Sequence, residues 1–166
     1  YRERDISLPF LLYFLVFFAI LIGDAGYGLL FFLGSLVMIG GDLAKKKAPG
    51  EGGLLLFSLS AATLVWGAVT GTWFGNVINL ADGPVKDFIQ SLTVSPFVDA
   101  QFQTNQAFVK FFCFTLGVTH LTLGHLWNIL LLLFKEKNPL KAVGQLGALG
   151  TTLALYPIVL TLEMSA

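Results

Sequence analysis

Long apolar runs separated by short polar segments dominate the chain. The runs at 54–80 and 108–134 each exceed the ~20 residues that cross a bilayer. No alternating pattern typical of an outer-membrane barrel is present. The pattern predicts an all-α, polytopic membrane protein with about five transmembrane helices. The predicted helices cover residues 9–23, 27–41, 54–77, 107–134 and 140–164, with an external loop over 78–106.

The first two predicted helices are separated by Gly-Asp-Ala-Gly-Tyr-Gly at 23–28. Glycine, aspartate and tyrosine in this density favour a turn over a continuous helix, so we expect a short helical hairpin. The alternative is one steeply tilted helix over 9–39. Arg4, Lys45–Lys47 and Lys135 would all be cytoplasmic by the positive-inside rule, which requires an even number of crossings before Lys45 and favours the hairpin.

Composition supports a place in the bilayer. Only 12% of residues are charged and 55% are hydrophobic, whereas soluble domains contain about 25% charged residues. The net charge of zero does not indicate a nucleic-acid partner. The single cysteine, Cys113, excludes an intrachain disulfide. We predict no cofactor or catalytic site, since the chain has no P-loop, metal-ligand cluster or catalytic triad.

Asp24 is the most conspicuous candidate for chemistry, because a carboxylate between apolar runs needs a partner. It is either an ion or proton ligand within the membrane, or a cap for the helix that follows. The cap is the simpler interpretation, with the N–H groups of Gly26 and Tyr27 as donors.

Small residues and histidines provide further candidates. Gly67, Gly71 and Gly75 recur every four residues in the predicted helix 54–77, so they would share a face that another helix can approach closely. His120 and His125 project about 140° apart on a helix, so a straight helix does not bring them together on one metal ion. Hydrogen-bonded packing is the simpler role for each.

Other polar positions receive simpler interpretations. Residues 85–92 predict a short amphipathic helix at the membrane surface, with Phe88, Ile89 and Leu92 on one side. We interpret Asn76, Asn79 and Asn128 as caps or helix contacts. Glu163 either faces an external aqueous vestibule or is a solvated helix end, and the helix end is the simpler interpretation.

Three stretches resemble a known family. The sequence Leu-Ile-Gly-Asp-Ala-Gly-Tyr-Gly at 21–28 resembles the Met-Phe-Gly-Asp-x-Gly-Tyr/His-Gly signature of V-type/A-type ATPase subunit I, called subunit a in eukaryotes. It departs from that signature at Leu21 and Ile22, which keep the apolar character. The stretch from Ser60 to Gly75 is similar to the next span of the family, which ends in Gly-x-x-Phe-Gly. Residues 116–124 resemble its Gly-x-x-His-x-x-x-Gly pattern, with His120 and Gly124 at the defined positions.

The resemblance implies a function and a place in a larger protein. In that family the subunit is the static partner of a rotating proteolipid ring and supplies two half-channels and an essential arginine. The only arginines here are Arg2 and Arg4, before the first span. The chain thus resembles the first half of the membrane domain, with 1–8 as the end of the cytosolic arm and 9–166 as the transmembrane part. We expect the arginine and the ion path in later helices.

By the same resemblance, the chain is a non-catalytic stator scaffold for H⁺ or Na⁺ transport coupled to ATP synthesis or hydrolysis. The implied partners are the proteolipid ring, the remaining helices of the subunit, the stalk subunits and the lipid bilayer. The implied location is a prokaryotic plasma membrane, with the N-terminus and the Lys45–Lys47 loop in the cytoplasm. The alternatives are a small secondary transporter or channel, although we see no inverted repeat, and a membrane assembly factor.

Overall fold

A computed structural model describes residues 7–75, 82–101 and 103–164. Within these ranges the chain is helical, and its β-structure is limited to an isolated bridge between Val98 and Thr104. The all-α prediction is therefore confirmed. The helices are α1 (Ser7–Ile22), α2 (Ala25–Ala44), α3 (Glu51–Val69), α4 (Pro84–Ser91), α5 (Gln106–Phe134) and α6 (Pro139–Met164). Among them, α2, α3, α5 and α6 are long and apolar enough to cross a membrane, while α1 is a shorter apolar helix.

The chain divides into two compact units, one up to Asn105 and one from Gln106. In the first unit, α1 and α2 both pack against α3. The helix break between α1 and α2 falls at Gly23 and Asp24, inside the predicted turn. Because both helices extend from this break along α3, the chain reverses direction there.

Helices α2 and α3 contain small buried residues, several of them polar, as well as the packed rings of Phe32 and Phe57. Ser35, Ser60 and Thr63 are each at most 2% exposed. The Ser60 hydroxyl donates to Leu56 O at 2.6 Å, and the Thr63 hydroxyl donates to Leu59 O at 2.9 Å. Each hydroxyl is thus satisfied within its own helix, which allows polar side chains to occupy a tight, apolar helix contact.

Helix α3 ends earlier than the sequence predicts. The prediction placed its end at residue 77, whereas the helix stops at Val69. The apolar sequence continues past that point, so hydrophobicity alone does not mark the end. The other predicted helix ends lie within about one turn of the observed ones.

The segment predicted as an external loop is anchored to the end of α3. Val94 N–H donates to Val69 O at 3.1 Å. The Thr104 hydroxyl donates to Thr70 O at 3.0 Å. These bonds hold the residues that follow α4 against the last turn of α3. The predicted amphipathic helix in this loop is confirmed as α4.

The second unit is a helical hairpin formed by α5 and α6. Two polar contacts join the helices. His125 Nδ1 lies 2.8 Å from Gln145 Oε1, and the hydroxyls of Thr115 and Tyr156 lie 2.7 Å apart. Because the earlier residue of α5 pairs with the later residue of α6, the two helices are antiparallel.

Candidate functional site: the Asp24 junction

Asp24 joins two segments of chain that are 50 residues apart. Its side chain is buried, with 6% of the residue exposed. Oδ1 accepts hydrogen bonds from the N–H groups of Gly26 at 2.7 Å, Tyr27 at 3.2 Å and Phe74 at 3.0 Å, and Oδ2 accepts from Gly75 at 2.9 Å. We call residues 23–28 together with 67–75 the Asp24 junction.

The junction supplies acceptors for the first three N–H groups of α2. A helix begins with four N–H groups that lack an acceptor within the helix. Here Ala25 N–H donates to Thr72 O at 2.8 Å. Gly26 and Tyr27 donate to the Asp24 carboxylate. The bond from Gly28 N–H to Asp24 O, at 3.0 Å, is then the first of the regular helical bonds. The predicted cap at Asp24, with its two predicted donors, is confirmed.

The same junction ends α3. Thr72 N–H donates to Gly67 O at 2.8 Å, and Gly71 N–H donates to Ala68 O at 3.2 Å. This pair of bonds is a Schellman motif, which places Gly71 in the left-handed region at φ 71°. The predicted glycine face is therefore wrong at two positions, because Gly71 and Gly75 lie in the turn after α3. Both glycines have a left-handed backbone conformation and donate N–H hydrogen bonds in this turn, so they do not form part of a helix face.

Gly67 and Gly28 allow the helices to touch along their backbones. A Cβ at Gly67 would overlap the backbone nitrogen of Ala25. A Cβ at Gly28 would lie 2.6 Å from the backbone nitrogen of Leu64. The close-packing face of α3 therefore runs from Gly67 back toward Thr63.

Two aromatic rings lie beside the junction. Tyr27 and Phe74 pack edge to face, with ring centroids 5.7 Å apart. A Cβ at Gly26 would lie 2.6 Å from the Phe74 ring. Since Tyr27 is 52% and Phe74 60% exposed, the rings cover the junction on one side and present an apolar surface outward. The backbone of Phe74, at φ 48°, is also left-handed.

The hydrogen bonds determine what Asp24 can do chemically. An ionised carboxylate has about four lone-pair positions, and four N–H groups point at this one. Three of these N–H groups bond Oδ1 and one bonds Oδ2, so a cation would meet donors at both oxygens, and the geometry favours a structural cap over an ion ligand. In the described ranges no group of three or more His, Cys, Asp or Glu residues is placed to hold a metal ion.

The remaining candidates lie apart from this cluster in sequence. His120 and Gly124 are in α5, where His120 is half-buried and Gly124 is exposed with open space at its Cβ position. His125 pairs with Gln145 as described above. Asn128 is exposed. Asn76, Asn79 and the side chain of Glu163 lie outside the described residues.

Comparison with known proteins gives two matches along the chain. The chain is 39% identical over 167 residues to V-type ATP synthase subunit I of Borreliella burgdorferi, an alignment that covers 99% of this chain and 26% of that protein. The chain is homologous to a segment of V-type ATP synthase subunit I. It is also 36% identical over 166 residues to subunit I 1 of Treponema pallidum, covering 98% of this chain and 25% of that protein.

The chain therefore spans about a quarter of the length of these subunit I relatives. The resemblance drawn from the motifs at 21–28, 60–75 and 116–124 is confirmed. No protein-family model matches the chain, and no solved structure does.

Sequence reasoning missed the second half of the junction. It identified Asp24 and its local donors, but it did not connect Phe74 and Gly75 with the carboxylate. One signal was available: Gly71 stands between two threonines, and glycine is the preferred residue just after a helix end. If Gly71 is taken to mark the end of the third predicted helix, Gly75 falls in the loop that follows.

Proposed function

We propose that the chain is part of the membrane-embedded stator of a V-type ATPase, where it braces the helices of the ion path beside the proteolipid ring. The supporting observation is the homology to subunit I of V-type ATP synthases, over 99% and 98% of the chain. The chain itself is non-catalytic in this proposal, and the transported ion is H⁺ or Na⁺. Its location is the plasma membrane of a prokaryote.

The Asp24 junction favours bracing over transport. A residue that releases and rebinds ions needs free acceptor positions, whereas three backbone N–H groups occupy Oδ1 of this carboxylate and a fourth bonds Oδ2. Those bonds fix the start of α2 to the turn after α3. The proposed role is therefore to hold these helices rigidly against the remaining helices of the same subunit.

The helix lengths support a specific placement in the bilayer. With 20 residues in α2 and 19 in α3, the helices are about 30 Å and 28 Å long at ~1.5 Å per residue. The hydrocarbon core is about 30 Å thick. The Asp24 junction and the Lys45–Lys47 loop then lie at opposite faces of the membrane, with the lysines and the N-terminus in the cytoplasm. In this placement α1 is the first arm of the hairpin, and Asp24 lies at the external edge of the bilayer.

Purification from native membranes tests membership in the complex. An affinity tag on the full-length protein that contains this segment should recover the proteolipid, the stalk subunits and the ATP-hydrolysing subunits after mild detergent extraction. Mass spectrometry identifies them. Recovery of the tagged protein without any ATPase subunit would refute the stator proposal.

Substitution of Asp24 separates bracing from ion transport. Asp24→Asn replaces one acceptor oxygen by an NH₂ group, which cannot accept from the N–H groups that the oxygen served. Loss of these charge-assisted bonds should cost on the order of 3 kcal/mol and reduce the yield of assembled complex. ATP-driven ion uptake into vesicles should fall only in proportion to that yield.

A matched control is available on the same helix. Asp42 Oδ2 accepts one exposed N–H, from Gly50 at 2.9 Å. Asp42→Asn should therefore assemble normally. If Asp24→Asn also assembles normally but no longer transports ions, the bracing role is wrong and Asp24 belongs to the ion path.

A further inference from the structure

Helix α4 has an exposed apolar stripe. Val85 and Phe88 are 64% and 63% exposed, and Leu92, which continues the helix in an α-helical conformation, is 36% exposed. At 100° per residue these three side chains fall within about 60° of arc. Ile89, on the adjoining edge of the stripe, is 8% exposed and packs into the protein.

The other exposed side of α4 is polar. Asp87 and Ser91 are exposed, and they lie on the side of Phe88 away from Ile89. Lys86 donates to Asp82 at 2.6 Å just before the helix. The short helix therefore has three separate environments: protein at Ile89, a polar side at Asp87, and an apolar side that nothing among the described residues covers.

A hydrogen bond just after α4 places the end of this helix beside the end of α3. Val94 is bonded to Val69 O, in the last residue of α3. Leu92 is two residues earlier in the chain, so it lies within about 7 Å of Val94, at ~3.5 Å per residue. Because the length of α3 matches the hydrocarbon core, its last residue falls at the boundary between hydrocarbon and headgroups. The apolar stripe of α4 is thus at the depth where an amphipathic helix binds lipid.

We propose that α4 is an interfacial membrane helix, with Val85, Phe88 and Leu92 inserted among the lipid headgroups and upper acyl chains, and with Asp87 and Ser91 facing water. The partner is the lipid surface itself. The proposal requires α3 to cross the membrane, and it does not depend on the ATPase role. It assigns the loop between α3 and α5 a function, which is to fix the end of α3 at the membrane surface.

Spin labelling in lipid vesicles tests this proposal. In the full-length protein with its native cysteines replaced, including Cys113→Ala, single cysteines are introduced as Phe88→Cys and, as the matched control, Ser91→Cys. Each carries a nitroxide label. Oxygen partitions into hydrocarbon and a nickel chelate stays in water, so the ratio of the two collision rates reports the depth of the label. We expect the oxygen-to-nickel ratio to be several-fold higher at residue 88 than at residue 91.

Two results would overturn the proposal. Equal nickel access at residues 88 and 91 would place the stripe in water. A label at residue 88 that neither reagent reaches would mean that another protein segment covers the stripe. Val85→Cys, about one turn earlier on the same stripe, repeats the measurement, so a local disturbance at Phe88 cannot decide the outcome.

Discussion

Replacing Gly28 by alanine tests whether backbone contact holds α2 and α3 together. The new Cβ would lie 2.6 Å from Leu64 N and 2.9 Å from Leu64 Cα. Both are backbone atoms, so no side-chain rotation can relieve the overlap. Since carbon atoms in ordinary contact are about 3.5 Å or more apart, the two helices would have to separate by about 1 Å at this point.

The expected change in stability is the difference between two effects. Alanine is favoured over glycine within a helix by about 0.5–1 kcal/mol. Overpacking of a tight contact typically costs about 1–3 kcal/mol, and the shift would also stretch the bonds from Asp24 to the turn after α3. Gly34, on the same helix, has open space at its Cβ position. We therefore expect Gly28→Ala to destabilise the protein by about 1–3 kcal/mol and Gly34→Ala to stabilise it slightly.

Thermal unfolding of the full-length protein in mild detergent, followed by tryptophan fluorescence, measures this difference. Trp66 and Trp73 lie in the same unit as the contact and report on it. Gly28→Ala should unfold several degrees below Gly34→Ala. Combining Gly28→Ala with Gly67→Ala should cost less than the sum of the single changes, because both push the same helices apart. If Gly28→Ala is as stable as Gly34→Ala, α2 and α3 do not meet at backbone distance.

Three further predictions use other contacts. Gly71→Ala should lower stability by about 1–2 kcal/mol, because a Cβ is unfavourable at its left-handed φ, and Gly71→Asn should cost less in the same unfolding assay. Gln145→Leu removes the hydrogen-bond partner of His125 and should cost about 1–2 kcal/mol, whereas adding His125→Leu should recover part of that loss; no recovery would argue against their pairing. The Lys86 ammonium donates a hydrogen bond to Asp82 and holds the pKa of that carboxyl below its ordinary value, so the stabilising effect of the pair is present above the ordinary pKa and is lost as pH falls through the lowered one. Lys86→Met should raise the pKa of Asp82 in an NMR titration, and an unchanged pKa would contradict the ion pair.

The sequence predicts the hydrogen bonds from Gly26 and Tyr27 to Asp24 because all three residues are close together in the chain. A carboxylate just before a helix reaches the N–H groups two and three residues ahead whatever the rest of the chain does. The donors from Phe74 and Gly75 depend instead on where α3 stops, which hydrophobicity does not show and only Gly71 indicates. A spacing of four residues between three glycines fits a helix face, but it fits one helical glycine and two turn glycines equally well, so the spacing alone does not distinguish these arrangements.

Helix α4 shows a similar division. Its existence follows from the amphipathic pattern at 85–92, and the structure confirms it. The pattern places Phe88, Ile89 and Leu92 on one side of the helix, but their surroundings differ, because Ile89 packs into the protein while Phe88 is exposed. The pattern identifies apolar side chains, but it cannot distinguish those that face protein from those that face outward.

The distance in sequence between Asp24 and its last two donors has a consequence for synthesis. Phe74, whose N–H donates to Asp24, is 50 residues later in the chain. It has therefore not been synthesised when the ribosome adds Asp24. At ~5–20 residues per second, the wait is roughly 3–10 s. During that interval only two of the four backbone donors of Asp24, Gly26 and Tyr27, are present in the chain. The junction is complete only after α3 has been made, so the first hairpin matures in an order that the direction of translation imposes.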